Sequence, residues 1–351
     1  MINALLKENH LDAILISSSA NVTYLSGFGN FVEGERETFL LMTDTKNFIL
    51  SNPLYLEEIA KKIKNFTPIE ISRAMTSVQQ ALQIMNKKGQ IKKVGFEPNN
   101  LSVAEYQLFK KVLPEMIPVD TSRLRTIKTV AEIKRIEEAC QLGDKTFLYV
   151  LKQLQKGVTE KEIAFAIESF IKQAGGDISF RPIVAFGAHS SMPHYIPQDT
   201  KLKDNMIVLM DFGAKIEHYC SDMTRTVFFG KATLEQKRMY ETVLHAQQDA
   251  INALYDTKDA KAIDASAREA IIANGYESIP HSLGHGIGIE VHEAPRLSSA
   301  SKDTLTDGMV FSIEPGIYIP DGGGVRIEDL VVLEKGKPRL LTHAPKEFLE
   351  L

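Results

Sequence analysis

Three carboxylates stand inside runs that otherwise read as buried β-strand: Val208-Leu-Met-Asp211-Phe212, Phe311-Ser-Ile-Glu314-Pro315 and Val325-Arg-Ile-Glu328-Asp-Leu330. Runs of this kind pack into a core, and a core excludes charge. An ionised carboxylate held there alone costs several kcal/mol even after relaxation, so the fold has to give each one a partner. A fourth acid, Asp222, lies in the strand-like run Tyr219 to Phe229, where Cys220, Asp222, Thr224, Thr226 and Phe228 share one face of an extended strand. Arg326 and Glu328 share a face in the same way, so the acids come with polar neighbours to orient them.

With His285, these acids make a set of five: Asp211, Asp222, His285, Glu314 and Glu328. Each acid alone is explained by an ordinary salt bridge. Together, four carboxylates balance two divalent cations, and the imidazole adds a neutral ligand. The oxygen-rich inventory favours Mn²⁺, Co²⁺ or Fe²⁺ over the Cys/His sets of structural zinc, and Zn²⁺ stays compatible. The histidines strengthen this reading. His281-Ser-Leu-Gly284-His285-Gly286-Ile-Gly288-Ile-Glu-Val-His292 brings three imidazoles into one short stretch, with glycines that let backbone approach a ligand. A further imidazole, His194, follows an expected strand in Phe186-Gly-Ala-His189-Ser-Ser-Met-Pro193-His194-Tyr195.

The remaining patterns set the organisation. The 351 residues suit about two domains. Up to about residue 120, short apolar runs (Leu11 to Ser17, Phe39 to Met42, Asn47 to Leu50) alternate with amphipathic stretches (Tyr55 to Ile63, Ser77 to Lys87), which is a mixed α/β pattern. Pro114 to Ser122 carries two prolines and turns polar, so a boundary is expected near 122, giving domains 1–122 and 123–351. Beyond it, capping boxes at Thr129/Glu132, Thr159/Glu162 and Thr233/Gln236 open three helices, and a fourth is expected from Asp259 to Asn274, stopping at Gly275. Strand-like runs lie between them at Ile183 to Phe186, Met206 to Phe212, Tyr219 to Phe229, Met309 to Glu314 and Val325 to Leu333.

Net charge is −4, with no long run of like charge, which speaks against a nucleic-acid partner. No segment approaches the ~20 apolar residues of a membrane span, and charges interrupt the N-terminal apolar stretch at Lys7 and Glu8, unlike a secretory signal. A cytoplasmic chain with no membrane partner is expected. Its two cysteines, Cys140 and Cys220, read as small buried hydrophobes rather than a disulfide.

The segments Asp211-Phe-Gly-Ala with Ser221-Asp222-Met-Thr-Arg-Thr226, Gly284-His285-Gly-Ile-Gly with Val291-His292-Glu293, Glu314-Pro-Gly316, and Val325-Arg326-Ile-Glu328-Asp329 resemble the pita-bread metallopeptidases in order and spacing. The likeness is to the Xaa-Pro branch, prolidase and aminopeptidase P. Asn21-Val-Thr-Tyr24-Leu-Ser-Gly27-Phe28 and Tyr55 are similar to that branch's creatinase-like N-terminal domain. The resemblance implies an α+β chain with a creatinase-like domain followed by a pita-bread catalytic domain. It implies that Asp211 and Asp222 bind one metal, that His285 and Glu314 help bind the other, and that Asp222 and Glu328 bridge the two. Glu314 would double as general base toward the attacking water, and His194 and His292 would contact the scissile region. Phe180 and Tyr195 would wall a proline pocket, with Arg326 as an orienting or substrate-anchoring group. Two positions depart from the family pattern: His189 stands where asparagine is expected, and Glu293 where some members carry aspartate.

The expected reaction is hydrolysis of Xaa-Pro peptide bonds in a proline-containing dipeptide or peptide. Proline's tertiary amide has no N–H and a fixed ring, so it needs a dedicated pocket. Arg296 lies where several prolidases carry an arginine for the dipeptide's carboxylate, a task suited to a guanidinium, so a dipeptidase is preferred to an Xaa-Pro aminopeptidase. Methionine aminopeptidase is disfavoured by the extra N-terminal domain. A non-catalytic binding relative, or a metal-free creatinase, is disfavoured by the intact set of five. The family resemblance implies a homodimer.

Overall fold

The computed structural model describes residues 1–30, 37–71, 80–83, 91–113 and 115–351, in two compact units, Met1–Leu124 and Arg125–Leu351. In the first unit, β1 (Ala13–Ile16), β2 (Thr38–Met42), β3 (Asn47–Ser51), β4 (Thr67–Glu70), β5 (Lys93–Phe96) and β6 (Glu115–Pro118) form one mixed sheet in the order β4-β3-β2-β1-β5-β6. Alternate residues of the central strands feed two cores. Ile14, Ile16, Leu40 and Ile49 enter one, and Leu15, Leu41, Phe48 and Leu50 the other. Burial on both faces explains why these strands read as continuous apolar runs. The expected helix at Tyr55 to Ile63 is Pro53–Lys62, opened by Asn52 and a proline in the first turn. Of the helix expected over Ser77 to Lys87, residues 80–83 are helical and the others lie outside the described residues.

The segment read as interdomain punctuation is corrected here. Pro114 lies outside the described residues, but Glu115–Pro118 is the edge strand β6, parallel to β5, with Pro118 opposite Phe96. An edge tolerates proline because one row of its backbone groups needs no ladder partner. Just beyond β5, Glu97 is buried and saturated by donors. Its Oε2 accepts from the Ser17 N–H (2.5 Å), Ser18 N–H (2.7 Å) and Ser17 Oγ (3.1 Å), and its Oε1 from Asn21 Nδ2 (2.5 Å) and Thr121 Oγ1 (2.8 Å).

The second unit has two halves of similar construction. Helices Val130–Leu151 and Glu160–Gln173 pack on the antiparallel strands Ile183–Phe186, Met206–Phe212 and Met223–Phe229. Helices Leu234–Asp256 and Ala260–Ala273 pack on a five-stranded sheet that includes Gly284–Gly286, Val310–Ile313 and Asp329–Glu334. All three capping boxes form, and the last helix ends before Gly275 at φ +84°. Cys140 and Cys220 are buried free thiols. Among the described residues no helix is long and apolar enough to cross a membrane.

Two expected strands prove discontinuous. Tyr219 to Phe229 splits into Tyr219–Cys220 and Met223–Phe229, in different sheets, and Val325 to Leu333 splits into Gly323–Arg326 and Asp329–Glu334. The breaks fall at Ser221-Asp222 and Ile327-Glu328. At both, the backbone pairs outside a regular ladder: the Ser221 N–H reaches Ala214 O at 2.7 Å, and the Glu328 N–H reaches Thr224 O at 3.1 Å. An unbroken strand would keep these carboxylates on a fixed alternation, whereas a break lets the chain pass between sheets with the acid at the crossing.

Glu97→Leu removes the acceptor shared by Ser17, Ser18, Asn21 and Thr121, so it is expected to destabilise the first unit by about 3 kcal/mol. Urea unfolding monitored by circular dichroism measures this, and a change smaller than about 1 kcal/mol would show that the donors find other partners.

Candidate metal centre and active-site cavity

A cavity of about 820 Å³ in the second unit is lined by Asp211, Asp222, His285, Glu314 and Glu328. Every other residue singled out from the sequence for this site lines it too: His194, His292, Arg296, Arg326, Phe180 and Tyr195. Asp211 is on strand Met206–Phe212, opposite Thr224. Asp222 sits in the break just before Met223–Phe229. In the other half, Ile313 pairs with Asp329, and continuing that antiparallel register sets Glu314 opposite Glu328, where the pair opens out. Each half therefore delivers two carboxylates from adjacent antiparallel strands.

Their partners are sparse. Asp211 Oδ2 accepts from Arg326 Nη2 at 2.5 Å, Glu328 Oε2 from Thr224 Oγ1 at 2.7 Å, and Glu314 Oε1 from Ser312 Oγ at 3.2 Å. The other oxygens of three of these groups, Asp211 Oδ1, Asp222 Oδ1 and Glu328 Oε1, are buried with no hydrogen-bond partner. Burial first, and then the neighbouring carboxylates, push Asp222 and Glu328 well above the usual carboxylate range. Burial raises Glu314 to about 8 against the opposing pull of Arg326.

His285 adds a second indication. Its Nδ1 lies 3.1 Å from Gly286 O, an atom that can only accept, so Nδ1 carries the proton and Nε2 presents a lone pair. That lone pair faces Glu314 Oε1 at 3.3 Å and Asp222 Oδ2 at 3.7 Å. Burial and the adjacent His292 lower His285 to about 4, so it is neutral near pH 7. Ligand atoms of Asp222, His285 and Glu328 lie within 4.8 Å of one another. Three orphaned carboxylate oxygens and a lone pair aimed at anions form a donor set that fits cations. Arg326 adds one positive charge that the sequence-based count of four acids against two cations did not place beside Asp211.

The histidine and arginine neighbours differ in exposure and tethering. The His285 and His292 rings meet edge-on with centroids 4.3 Å apart, and burial, then His194, lowers His292 below the ordinary imidazole range. Arg326 is buried and donates to Thr224 Oγ1 (3.0 Å) and Tyr318 Oη (2.9 Å) as well as to Asp211. Arg296 is exposed, with Nε bonded to Ser282 Oγ at 2.8 Å.

Several supporting residues had no assigned role in the sequence reading. Tyr318 joins Arg326 to His281 Nε2 (2.9 Å), and Ser312 holds Glu314. Thr224 was visible as a strand neighbour of Asp222. Asp329, next to Glu328, is clamped by Arg225 Nη2 (2.6 Å), Lys346 Nζ (2.5 Å), Thr342 Oγ1 (2.7 Å) and Gln247 Nε2 (3.1 Å). Arg225 Nη1 also donates to Glu328 O at 2.6 Å, which fixes the backbone behind that carboxylate. Burial works against the charge on Asp329, but Arg225 and Lys346 prevail and hold it down to about 2.

Comparison with known proteins places this architecture. Residues 134–335 match the model of "Metallopeptidase family M24", and residues 2–127 match that of "Creatinase/Prolidase N-terminal domain". The chain is therefore a member of metallopeptidase family M24, built as an α+β protein with a creatinase-type N-terminal domain and a pita-bread domain. It is 37% identical over 347 residues to the Xaa-Pro dipeptidase of Pyrococcus horikoshii, covering 97% of this chain and 95% of that protein. The solved Xaa-Pro dipeptidase from Bacillus anthracis superposes with a TM-score of 0.93 at 32% identity, covering 100% of this chain and 98% of that one. An X-Pro aminopeptidase from Thermotoga maritima superposes with a TM-score of 0.87 at 30% identity, covering 97% and 98%.

Two outcomes follow from the charges. Asp222→Asn replaces an acid that burial and its neighbours keep from ionising freely with a group that needs no proton, so the metal-free variant is expected to melt above the metal-free wild type while taking up less divalent metal. Calorimetry in chelator and elemental analysis read the two effects, and a lower metal-free Tm would contradict the repulsion. Asp329 has its folded pKa below its unfolded value, so its stabilisation is present above about pH 4 and is lost as pH falls through about 2. Asp329→Asn, which strands Arg225 and Lys346, is expected to cost about 3 kcal/mol at neutral pH, with the gap to wild type narrowing over that acid window in denaturant titrations.

Proposed function

We propose that the chain is an Xaa-Pro dipeptidase, with Asp211, Asp222, His285, Glu314 and Glu328 as ligands of two divalent cations. The observation that carries the reading is the set of orphaned carboxylate oxygens beside the His285 lone pair, inside the cavity that His194, His292 and Arg296 also line. The family membership and the Xaa-Pro dipeptidases among its relatives support it. Mn²⁺ or Co²⁺ suits the oxygen-rich set best, with Fe²⁺ and Zn²⁺ compatible. In this reading a creatinase-like domain spans 1–122 and the catalytic domain 123–351, supported by the family matches to 2–127 and 134–335. A cytoplasmic location rests on the charges that interrupt the N-terminal apolar stretch, and a homodimer on the family resemblance alone.

When bound, the cations supply Lewis acidity toward the peptide carbonyl and lower the pKa of water. The chain's own groups do the rest. Glu314, which lines the cavity and is held by Ser312 Oγ, would accept the proton of the attacking water and pass it toward the leaving nitrogen. His292, kept neutral by burial and by His194, donates a hydrogen bond to the carbonyl oxygen as charge develops there. His194 contacts the other side of the scissile bond. Phe180 and Tyr195 give the proline ring apolar walls, and Arg296 holds the carboxylate that follows it. Arg326, already committed to Asp211, Thr224 and Tyr318, orients a ligand more than it anchors substrate.

The deciding experiment loads the protein with Mn²⁺ or Co²⁺ and compares Ala-Pro with Ala-Pro-Ala. A dipeptidase is expected to prefer Ala-Pro by more than about tenfold in kcat/KM, since Arg296 meets the terminal carboxylate only there. A preference for the tripeptide would make the chain an Xaa-Pro aminopeptidase instead, and release of methionine from proline-free peptides would displace both.

A further inference from the structure

Glu160, the first residue of helix Glu160–Gln173, is completely buried, and no lysine or arginine pairs with it among the described residues. The helix does not need the charge, because Thr159 and Glu162 already cap it. All four bonds of the Glu160 carboxylate go to one segment. Oε1 accepts from the Phe186 N–H (2.8 Å) and His189 Nδ1 (2.9 Å), and Oε2 accepts from the Tyr195 hydroxyl (2.9 Å) and the Gln198 N–H (2.9 Å). Four donors fill the acceptor sites of an ionised carboxylate. They also flank Met192-Pro193-His194, so one side chain ties both ends of the stretch that carries His194.

Donor counting fixes the protons. The single hydroxyl proton of Tyr195 is given to Glu160 Oε2. His189 Nδ1 faces Glu160 Oε1 and, at 2.7 Å, the Tyr195 oxygen, which is left as an acceptor, so Nδ1 carries hydrogen. The His189 and Tyr195 rings stack with centroids 4.6 Å apart, closing the clamp. Burial, then the Glu160 charge, pushes the Tyr195 phenol far above its ordinary range and keeps it a donor. On the opposite side, Ser190 Oγ accepts from the Gly324 N–H at 2.7 Å, so the segment is held from two directions.

We infer that Glu160 is a positioning residue for His194, fixing the loop through Tyr195 and His189 so that the imidazole faces the carboxylate-lined cavity. This rests on the reading of His194 as a substrate contact. The test is a double-mutant cycle. Glu160→Gln keeps the shape but loses two of the four acceptor interactions, and it is expected to lower kcat/KM by roughly tenfold to a hundredfold, as removal of an orienting partner does. In a His194→Ala background the same change is expected to lose less than about twofold, because the residue it positions is gone. Tyr195→Phe, which deletes one hydroxyl and keeps the ring, should repeat the pattern on a smaller scale if Glu160→Gln fails to fold. In histidine-labelled protein, the His194 ring resonance, assigned by its loss in His194→Ala, should move in both Glu160→Gln and Tyr195→Phe while that of His245 stays. This readout needs no turnover, so it decides the inference even if no Xaa-Pro peptide is hydrolysed. An equal loss in both backgrounds, no loss at all, or an unmoved His194 resonance would overturn it.

Discussion

Four carboxylates brought to one cavity repel each other, and the rest of the second unit is arranged around outlasting that repulsion. Two like charges about 5 Å apart repel by about 3 kcal/mol at an effective dielectric near 20, and burial adds to it. Asp222 and Glu328 answer by rising far up in pKa, and Glu314 by rising to about 8. The fold answers by rigidity. Each half contributes its pair from adjacent antiparallel strands backed by two helices, so the acids cannot drift apart without breaking a core. Divalent cations relieve the same strain from outside the chain.

Around the acids the polar groups divide into two kinds. Arg326, Thr224, Ser312 and Tyr318 touch the cavity carboxylates or each other, and they occupy one oxygen each of Asp211, Glu328 and Glu314. Arg225 and Asp329 never reach the cavity. Arg225, held by Asp329, donates to the backbone carbonyls of Thr224 and Glu328, where the two halves meet. This second kind explains how buried Asp329 can be ionised while its neighbour Glu328 resists ionisation: Asp329 has two cations and two further donors, and Glu328 has one hydroxyl.

That the four acids and His285 belong together was legible in the sequence because charge in an apolar run is a local anomaly, readable without knowing the fold, and all five line one cavity. The capping boxes were legible for a similar reason, since spacing alone identifies them. What failed were the strand ends. Continuous hydrophobicity does not reveal that Tyr219 to Phe229 and Val325 to Leu333 each leave one sheet and enter another, because both pieces are buried. The edge strand Glu115–Pro118 was mistaken for a linker because its prolines carry the composition of a turn. Tyr318 and Glu160 were invisible as site residues, since their roles depend on partners far away in sequence or on neither face of a periodic element.

The two departures from the family pattern make sense in the same terms. His189 occupies an expected asparagine position, and what the site asks of it is one N–H directed at Glu160, which an imidazole Nδ1–H supplies as well as an amide. Glu293 replaces an aspartate of some members and is one methylene longer. Its carboxylate meets Arg125 Nε at 2.8 Å and Lys128 Nζ at 3.2 Å, an ion cluster directly behind His292. Neither position is one of the four carboxylates or the imidazole His285. Variation of this kind is tolerable where a support needs only a donor or an acceptor at a given point. A side chain that holds a cation has charge, size and lone-pair direction fixed at once, so the five proposed ligand positions would leave less freedom of this kind.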